Sequence, residues 1–392
     1  MKILLSLPES PFDPTNGAAR SMRTIAELMA KAGHQVRCVG TMATEHPRRS
    51  DLVLSGSGQH YELKSRGVTY RLVRTPGKST QNWRDQETEH TFDWLFQRET
   101  DTRPDILLCY GGHPTDLKRY ERAKRAGVKI VFGLRNYGYQ RAGFFDFADG
   151  IITSSQFLSD WYRTRFGIES TPLPLPIWPE DVIAENREPK YFTDINPTRE
   201  KGSMILATVF NALTKTRPDI PLLLIAGTQD LLRIQPEVFG NPMVNCWTPS
   251  PKAIFAKTKV LLVPSVWEEP AGRVIAEAML NGIPPIITDR GGMPEIANGG
   301  AIVLPLDKRI TPERTQPVSL AVAQPWIDTI IELHDHPHVL RMNSALAKLA
   351  SEKYLPKNVT PLYEDYFGRI LTGTPIPARM QPETATTGAA NL

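Results

Sequence analysis

The chain has 392 residues, 41% of them hydrophobic and 22% charged, and a net charge of +4 at neutral pH. That length exceeds one ordinary core and suits two domains of common size, while the small charge, with no basic run interleaved with aromatics, argues against a nucleic-acid binder. Three widely spaced cysteines (Cys38, Cys109, Cys246) in no CxxC or Cys/His pattern argue against a disulfide framework or a zinc site.

Apolar runs at residues 2–7, 35–40, 68–73, 106–109, 129–132 and 150–153 predict strands. Helical periodicity at 18–32, 87–98, 115–126 and 155–166 predicts helices between them. This alternation is that of a doubly wound α/β domain over residues 1–172. Thr171-Pro172-Leu173-Pro174-Leu175-Pro176-Ile177-Trp178-Pro179 leaves no room for a helix and marks a linker, taken over 173–190. A second α/β domain is expected over 191–355, with strands at 191–196, 222–226, 260–263, 285–288 and 301–303 and helices near 326–333 and 338–353. A helix over 356–371 and a disordered tail over 372–392 close the chain. No apolar run reaches the length that spans a bilayer, and residues 1–7 do not form a signal peptide, so a cytoplasmic location is expected. Two such domains would leave a ligand cleft between the carboxyl ends of their sheets.

The densest chemistry lies in Val263-Pro264-Ser265-Val266-Trp267-Glu268-Glu269-Pro270-Ala271-Gly272-Arg273-Val274-Ile275-Ala276-Glu277. A strand, a loop and a helix place Glu269 beyond a strand's carboxyl end and Glu277 about 7–8 Å along the helix from Gly272. The open amides of the helix's first turn lie between the two acids and attract anions. One carboxylate can take sugar hydroxyls and the other ribose hydroxyls, with phosphates between them.

This E-x7-E unit, with Ala278-Met279 and Gly291-Gly292-Met293-Pro294-Glu295 after it, resembles retaining glycosyltransferases of the GT-B fold, family 4. The resemblance implies two Rossmann-like domains facing across a cleft, the first on the acceptor side and the second binding a nucleotide-sugar donor, with the 356–371 helix crossing back to the first. It implies a metal-independent hexosyltransferase without a cofactor, its partners a nucleoside-diphosphate sugar and an unidentified glycan, lipid or small-molecule acceptor. Glu277 would take the ribose and Glu269 the donor sugar. Lys201, the Gly17 loop and the amides near Gly272 would hold the diphosphate, Arg273 belongs to the donor site, and Trp247 and Thr248 fall where relatives hold the base.

Departures from the family pattern are visible. Asn16 precedes Gly17 where a glycine is usual. Asn196 stands in for an arginine, and Arg199 lies at a position that is not the family's. Arg135 replaces a histidine at a strand end, keeping a donor and fixing its charge. Arg135 is expected in the cleft as a catalytic residue with Glu269 and Lys201, Asn196 and Arg199 at the donor, and His113 and Asn136 on the acceptor side. A sugar-nucleotide epimerase and a non-catalytic nucleotide-sugar binder are the competing readings.

Other features are set aside. Gly56-Ser57-Gly58 lacks the third glycine of a dinucleotide fingerprint. His334, His336 and His338 read as a solvated loop, and no D-x-D diphosphate motif occurs. Six basic residues over 117–129 read as a solvated face, with peripheral membrane contact not favoured.

Overall fold

The computed structural model describes residues 1–13, 16–45, 52, 54–55, 58–77, 84–141, 143–225, 243–245, 250–377 and 380. The chain divides into two compact units, one formed by Met1–Pro176 with Pro356–Leu392 and the other by Ile177–Leu355.

The first unit runs β1 (Lys2–Ser6), α1 (Gly17–Lys31), β2 (Gln35–Ala43), β3 (His60–Ser65), β4 (Val68–Thr75), α2 (Gln86–Thr100), β5 (Ile106–Cys109), α3 (Pro114–Arg125), β6 (Lys129–Leu134), β7 (Gly150–Thr153), α4 (Gln156–Phe166) and β8 (Thr171–Pro172). Its sheet has the order β3-β4-β2-β1-β5-β6-β7-β8, parallel except for β3, which pairs antiparallel with β4. The parallel strands are apolar because both faces are covered; β5 is buried at all four positions. β3 was not foreseen: His-Tyr-Glu-Leu-Lys-Ser alternates polar and apolar as an edge strand does. Asn16 caps α1, its Oδ1 accepting from Ala19 N at 2.9 Å, and Ser155 caps α4 by accepting from Leu158 N at 3.1 Å. The core includes Phe132, with Tyr139, Phe144, Phe145 and Phe147 set edge-on around it.

The stretch read as a linker is built into the units. Thr171–Pro172 adds the last strand, Leu173, Leu175, Ile177 and Trp178 are buried, and Pro179–Val182 forms a short helix, α5. Proline serves at a helix start because its missing N–H is an orphan there.

The second unit continues with β9 (Tyr191–Ile195), α6 (Ser203–Thr216), β10 (Leu222–Ile225), β11 (Met243–Asn245), α7 (Pro251–Lys257), β12 (Thr258–Val263), α8 (Arg273–Leu280), β13 (Pro285–Thr288), α9 (Met293–Ala297), β14 (Ile302–Leu304), α10 (Leu320–Asp335) and α11 (Pro337–Ser351). Its sheet is parallel throughout, in the order β11-β10-β9-β12-β13-β14. Phe192 on β9, Phe210 on α6 and Trp326 on α10 share one buried cluster. The final helix, α12 (Pro356–Thr372), groups with the first unit, and a Cβ on Gly150 of β7 would lie 2.4 Å from the Tyr366 hydroxyl of that helix. The residues beyond 380 lie outside those described.

Candidate functional site

In the second sheet β9 and β12 are neighbours, yet the chain proceeds from β9 to β10 on one side and from β12 to β13 on the other. Ligands of doubly wound sheets collect at the carboxyl ends of such a switch point. Three loops meet there, after β9, β12 and β13.

The loop after β9 opens on Asn196, whose φ of 65° is left-handed, a conformation that asparagine tolerates better than most residues. Its N–H donates to Ile225 O at 2.7 Å. Asn196 thus does a glycine's work in the turn, which revises its reading as the residue in an arginine's place. The loop ends on Gly202, where φ is 85° and a Cβ would lie 1.9 Å from Pro264 O, so only glycine lets the loops after β9 and β12 cross. Val266 N and Trp267 N donate to Glu200 O at 3.0 and 3.2 Å, and Ser265 Oγ donates to the same oxygen at 3.0 Å.

This crossing brings Lys201 and Glu269 together as an ion pair, the lysine partly exposed and the carboxylate nearly covered. The third loop fixes Glu269 from the other side. Gly291, with φ at 60°, passes so close that a Cβ would sit 2.3 Å from Glu269 O, and Gly292 N donates to that oxygen at 2.7 Å. Arg199 is exposed on the loop after β9.

Gly272 starts α8 at φ 86° with no side-chain cap, so the positive end of the helix faces the loops without an intramolecular side-chain acceptor. Glu277, one turn along, is buried and takes a hydrogen-bonded ion pair from Arg273 Nε at 2.7 Å. Arg273, expected in the donor site, is therefore bound to the carboxylate expected to hold the ribose. Trp247 and Thr248 lie outside the described residues.

Asp194, on β9, was missed in the sequence. It is 2% exposed with no partner on Oδ1. Burial pushes its carboxyl well above the usual carboxylate range, and Lys201 pulls the other way. The one signal for it is an acid inside the apolar run Tyr191-Phe192-Thr193-Asp194-Ile195.

The first sheet has its own switch point between β1 and β5. A cavity of about 390 Å³ opens there, lined by Glu9, Arg84, Tyr110, Asp116, Asn136 and Tyr139 among others. Burial raises the Glu9 carboxyl, a hydrogen bond from Asn16 opposing it. Asn136 Nδ2 donates to the Tyr110 hydroxyl at 3.0 Å, and Asn136 lines the cavity. His113 is not on it. Its side chain caps α3 and faces Thr115 Oγ1 at 2.8 Å, which revises its acceptor-side reading to a structural one. Gly17 is exposed, with open space where a Cβ would be. Arg135 is buried at the end of β6.

The basic segment over 117–129 is not wholly a solvated face. Arg119 is fully buried, paired with Glu89, Asp93 and Asp116. His334 Nε2 lies 3.4 Å from Asp219, and among the described residues no group of three or more His, Cys, Asp or Glu is placed to hold a metal ion. No helix of the described residues is long and apolar enough to cross a membrane.

Residues 191–321 match the family model described as glycosyl transferases group 1. No curated protein matches the chain. Among solved structures, it is similar to sucrose-phosphate synthase from Thermosynechococcus elongatus, with a TM-score of 0.70 at 15% identity, over 95% of this chain and 100% of that one. It is also similar to Anabaena HepE in complex with UDP and glucose, with a TM-score of 0.66 at 14% identity, over 93% and 99% of the two chains. The catalytic domain of starch synthase IV from Arabidopsis thaliana, bound to ADP and acarbose, gives 0.66 at 11% identity, over 95% and 99%. These likenesses establish the GT-B fold.

Proposed function

We propose that this chain, whose residues 191–321 match the family model described as glycosyl transferases group 1 and whose fold is GT-B, is a retaining glycosyltransferase that moves a sugar from a nucleoside-diphosphate sugar to a hydroxyl acceptor without a metal ion. The observation that carries this reading is the convergence of Lys201, Glu269 and the uncapped start of α8 at the switch point of the second sheet.

Glu277 takes the ribose hydroxyls, and Arg273 holds its carboxylate in place. The diphosphate lies against the first-turn amides of α8, where Lys201 exchanges its carboxylate partner for a phosphate oxygen. Glu269, freed from Lys201, accepts hydroxyls of the donor sugar. As the bond from the anomeric carbon to the phosphate oxygen breaks, negative charge grows on the leaving diphosphate. Lys201 and the helix amides stabilise that charge. The acceptor hydroxyl attacks from the face that the diphosphate leaves, and its proton passes to the departing phosphate oxygen, so configuration is kept. Gly17, with open space at its Cα, allows close backbone approach on the first unit.

The reading is tested by incubating the protein with UDP-, GDP- and ADP-sugars and an acceptor panel in EDTA, and following the product's anomeric proton by NMR. Transfer with retained configuration is expected. An inverted product, or transfer that requires added metal, would contradict the mechanism, and isomerised donor without transfer would make the protein an epimerase.

A further inference from the structure

Arg135 follows β6 directly and is 7% exposed, and none of its three guanidinium nitrogens has a hydrogen-bond partner. Burial disfavours its charge, and the Tyr363 and Tyr110 hydroxyls beside it act in the charge's favour. Among the described residues no carboxylate pairs with it. Arginine keeps its proton in proteins, so a cation is enclosed here without a counter-charge. Such a group destabilises the fold unless a partner arrives.

The same unit shows how a buried arginine is otherwise neutralised. Arg119 has three carboxylates and lies over the Phe92 ring at 4.6 Å. The backbone that carries Arg135 is also fixed. Gly133 is pressed against Met22 of α1, where a Cβ would lie 2.3 Å from Sδ. Asn136 O accepts from the Tyr162 hydroxyl at 3.0 Å. Asn136 and Tyr110 line the cavity at the first sheet's switch point.

A planar fork of donors is complemented by a carboxylate or a phosphate. We propose that Arg135 is the receptor for an oxyanion, a carboxylate or phosphate group carried by the sugar substrate. That the carrier is a sugar rests on the glycosyltransferase reading; the need for an oxyanion rests on the guanidinium alone. Glu9 lines the cavity beside Asn136, the residue that follows Arg135; it repels an anion and accepts hydroxyls, so it complements the neutral part of such a ligand.

The test is thermal denaturation of the wild type, Arg135→Met and Arg135→Lys at matched ionic strength. The probes are inorganic phosphate, glucose 6-phosphate, glucuronate and glucose, with UDP-glucuronate against UDP-glucose, and with UDP, GDP and ADP as a separate arm. Arg135→Met should raise the ligand-free Tm by about 2–4 °C, since it removes an unpaired buried charge, and abolish stabilisation by the anionic sugars; Arg135→Lys should keep part of it. A response to glucuronate or glucose 6-phosphate at about tenfold lower concentration than glucose is the supporting result. A greater response to UDP-glucuronate than to UDP-glucose would put the oxyanion on the donor, and a response to glucose 6-phosphate alone would put it on the acceptor. Stabilisation by inorganic phosphate alone would mean an adventitious ion only and overturn the proposal. So would a Tm drop in Arg135→Met with the anion response intact. A nucleotide response without any oxyanion response would sink this inference and leave the donor site standing; the reverse pattern would sink the donor site alone.

Discussion

Lys201 and Glu269 neutralise each other as an ion pair. In the proposed mechanism a donor diphosphate offers the lysine a stronger partner and frees the carboxylate for sugar hydroxyls. Lys201→Ala and Glu269→Gln should each lower kcat by about 100-fold, because their contacts strengthen as the leaving group forms. Glu277→Ala should instead raise the donor KM by about 10- to 100-fold, the usual loss for a hydrogen bond to a charged group; steady-state kinetics separates the two patterns. Glu9 behaves differently. Its carboxyl is raised by burial, with Asp13 and Asp116 adding and Asn16 and Arg84 opposing. The folded state therefore holds that proton to higher pH than the unfolded chain. Stability falls as pH rises from the ordinary carboxylate value of 4.5 through the raised one. Glu9→Gln should match the wild type in denaturant titrations below that window and be more stable at neutral pH.

At the level of elements, the site is made by glycines that let loops touch. Gly202→Ala and Gly291→Ala put a Cβ against backbone atoms at left-handed φ and should each cost about 2–4 kcal/mol. Gly17→Ala meets nothing and should leave the Tm within about 1–2 °C of the wild type; differential scanning calorimetry ranks the three. The parallel strands were legible because a strand buried on both faces is a plain apolar run, as Pro285-Ile286-Ile287-Thr288 shows. α6 was not legible. Ile205, Thr208 and Val209 are β-branched, and the helix starts at Gly202 without a side-chain cap, so neither propensity nor capping announces it. Glu269 and Glu277 could be found from their spacing around a helix start. Asp194 and Glu9 could not, since only the assembled sheets show a carboxyl enclosed at a strand's end. His113 misled because a histidine beside glycines reads as a ligand, whereas its nitrogen is used to cap α3.

For the whole molecule, each unit winds its own sheet around its own switch point, so in the proposed function donor and acceptor recognition have separate frameworks. The alternation of strand and helix made that duplication readable; the end of the first framework was less so, because Thr171–Pro172 pairs as a strand and α5 follows directly. The central claim is that the second unit holds a nucleoside diphosphate at the Glu269–Glu277 segment without metal. Isothermal titration of UDP, GDP and ADP in EDTA, on the wild type and Glu277→Ala, tests it most directly. At least one nucleotide should bind the wild type and lose about 10-fold or more in affinity with the variant. Absence of binding by all three, or binding that Glu277→Ala leaves unchanged, would contradict it.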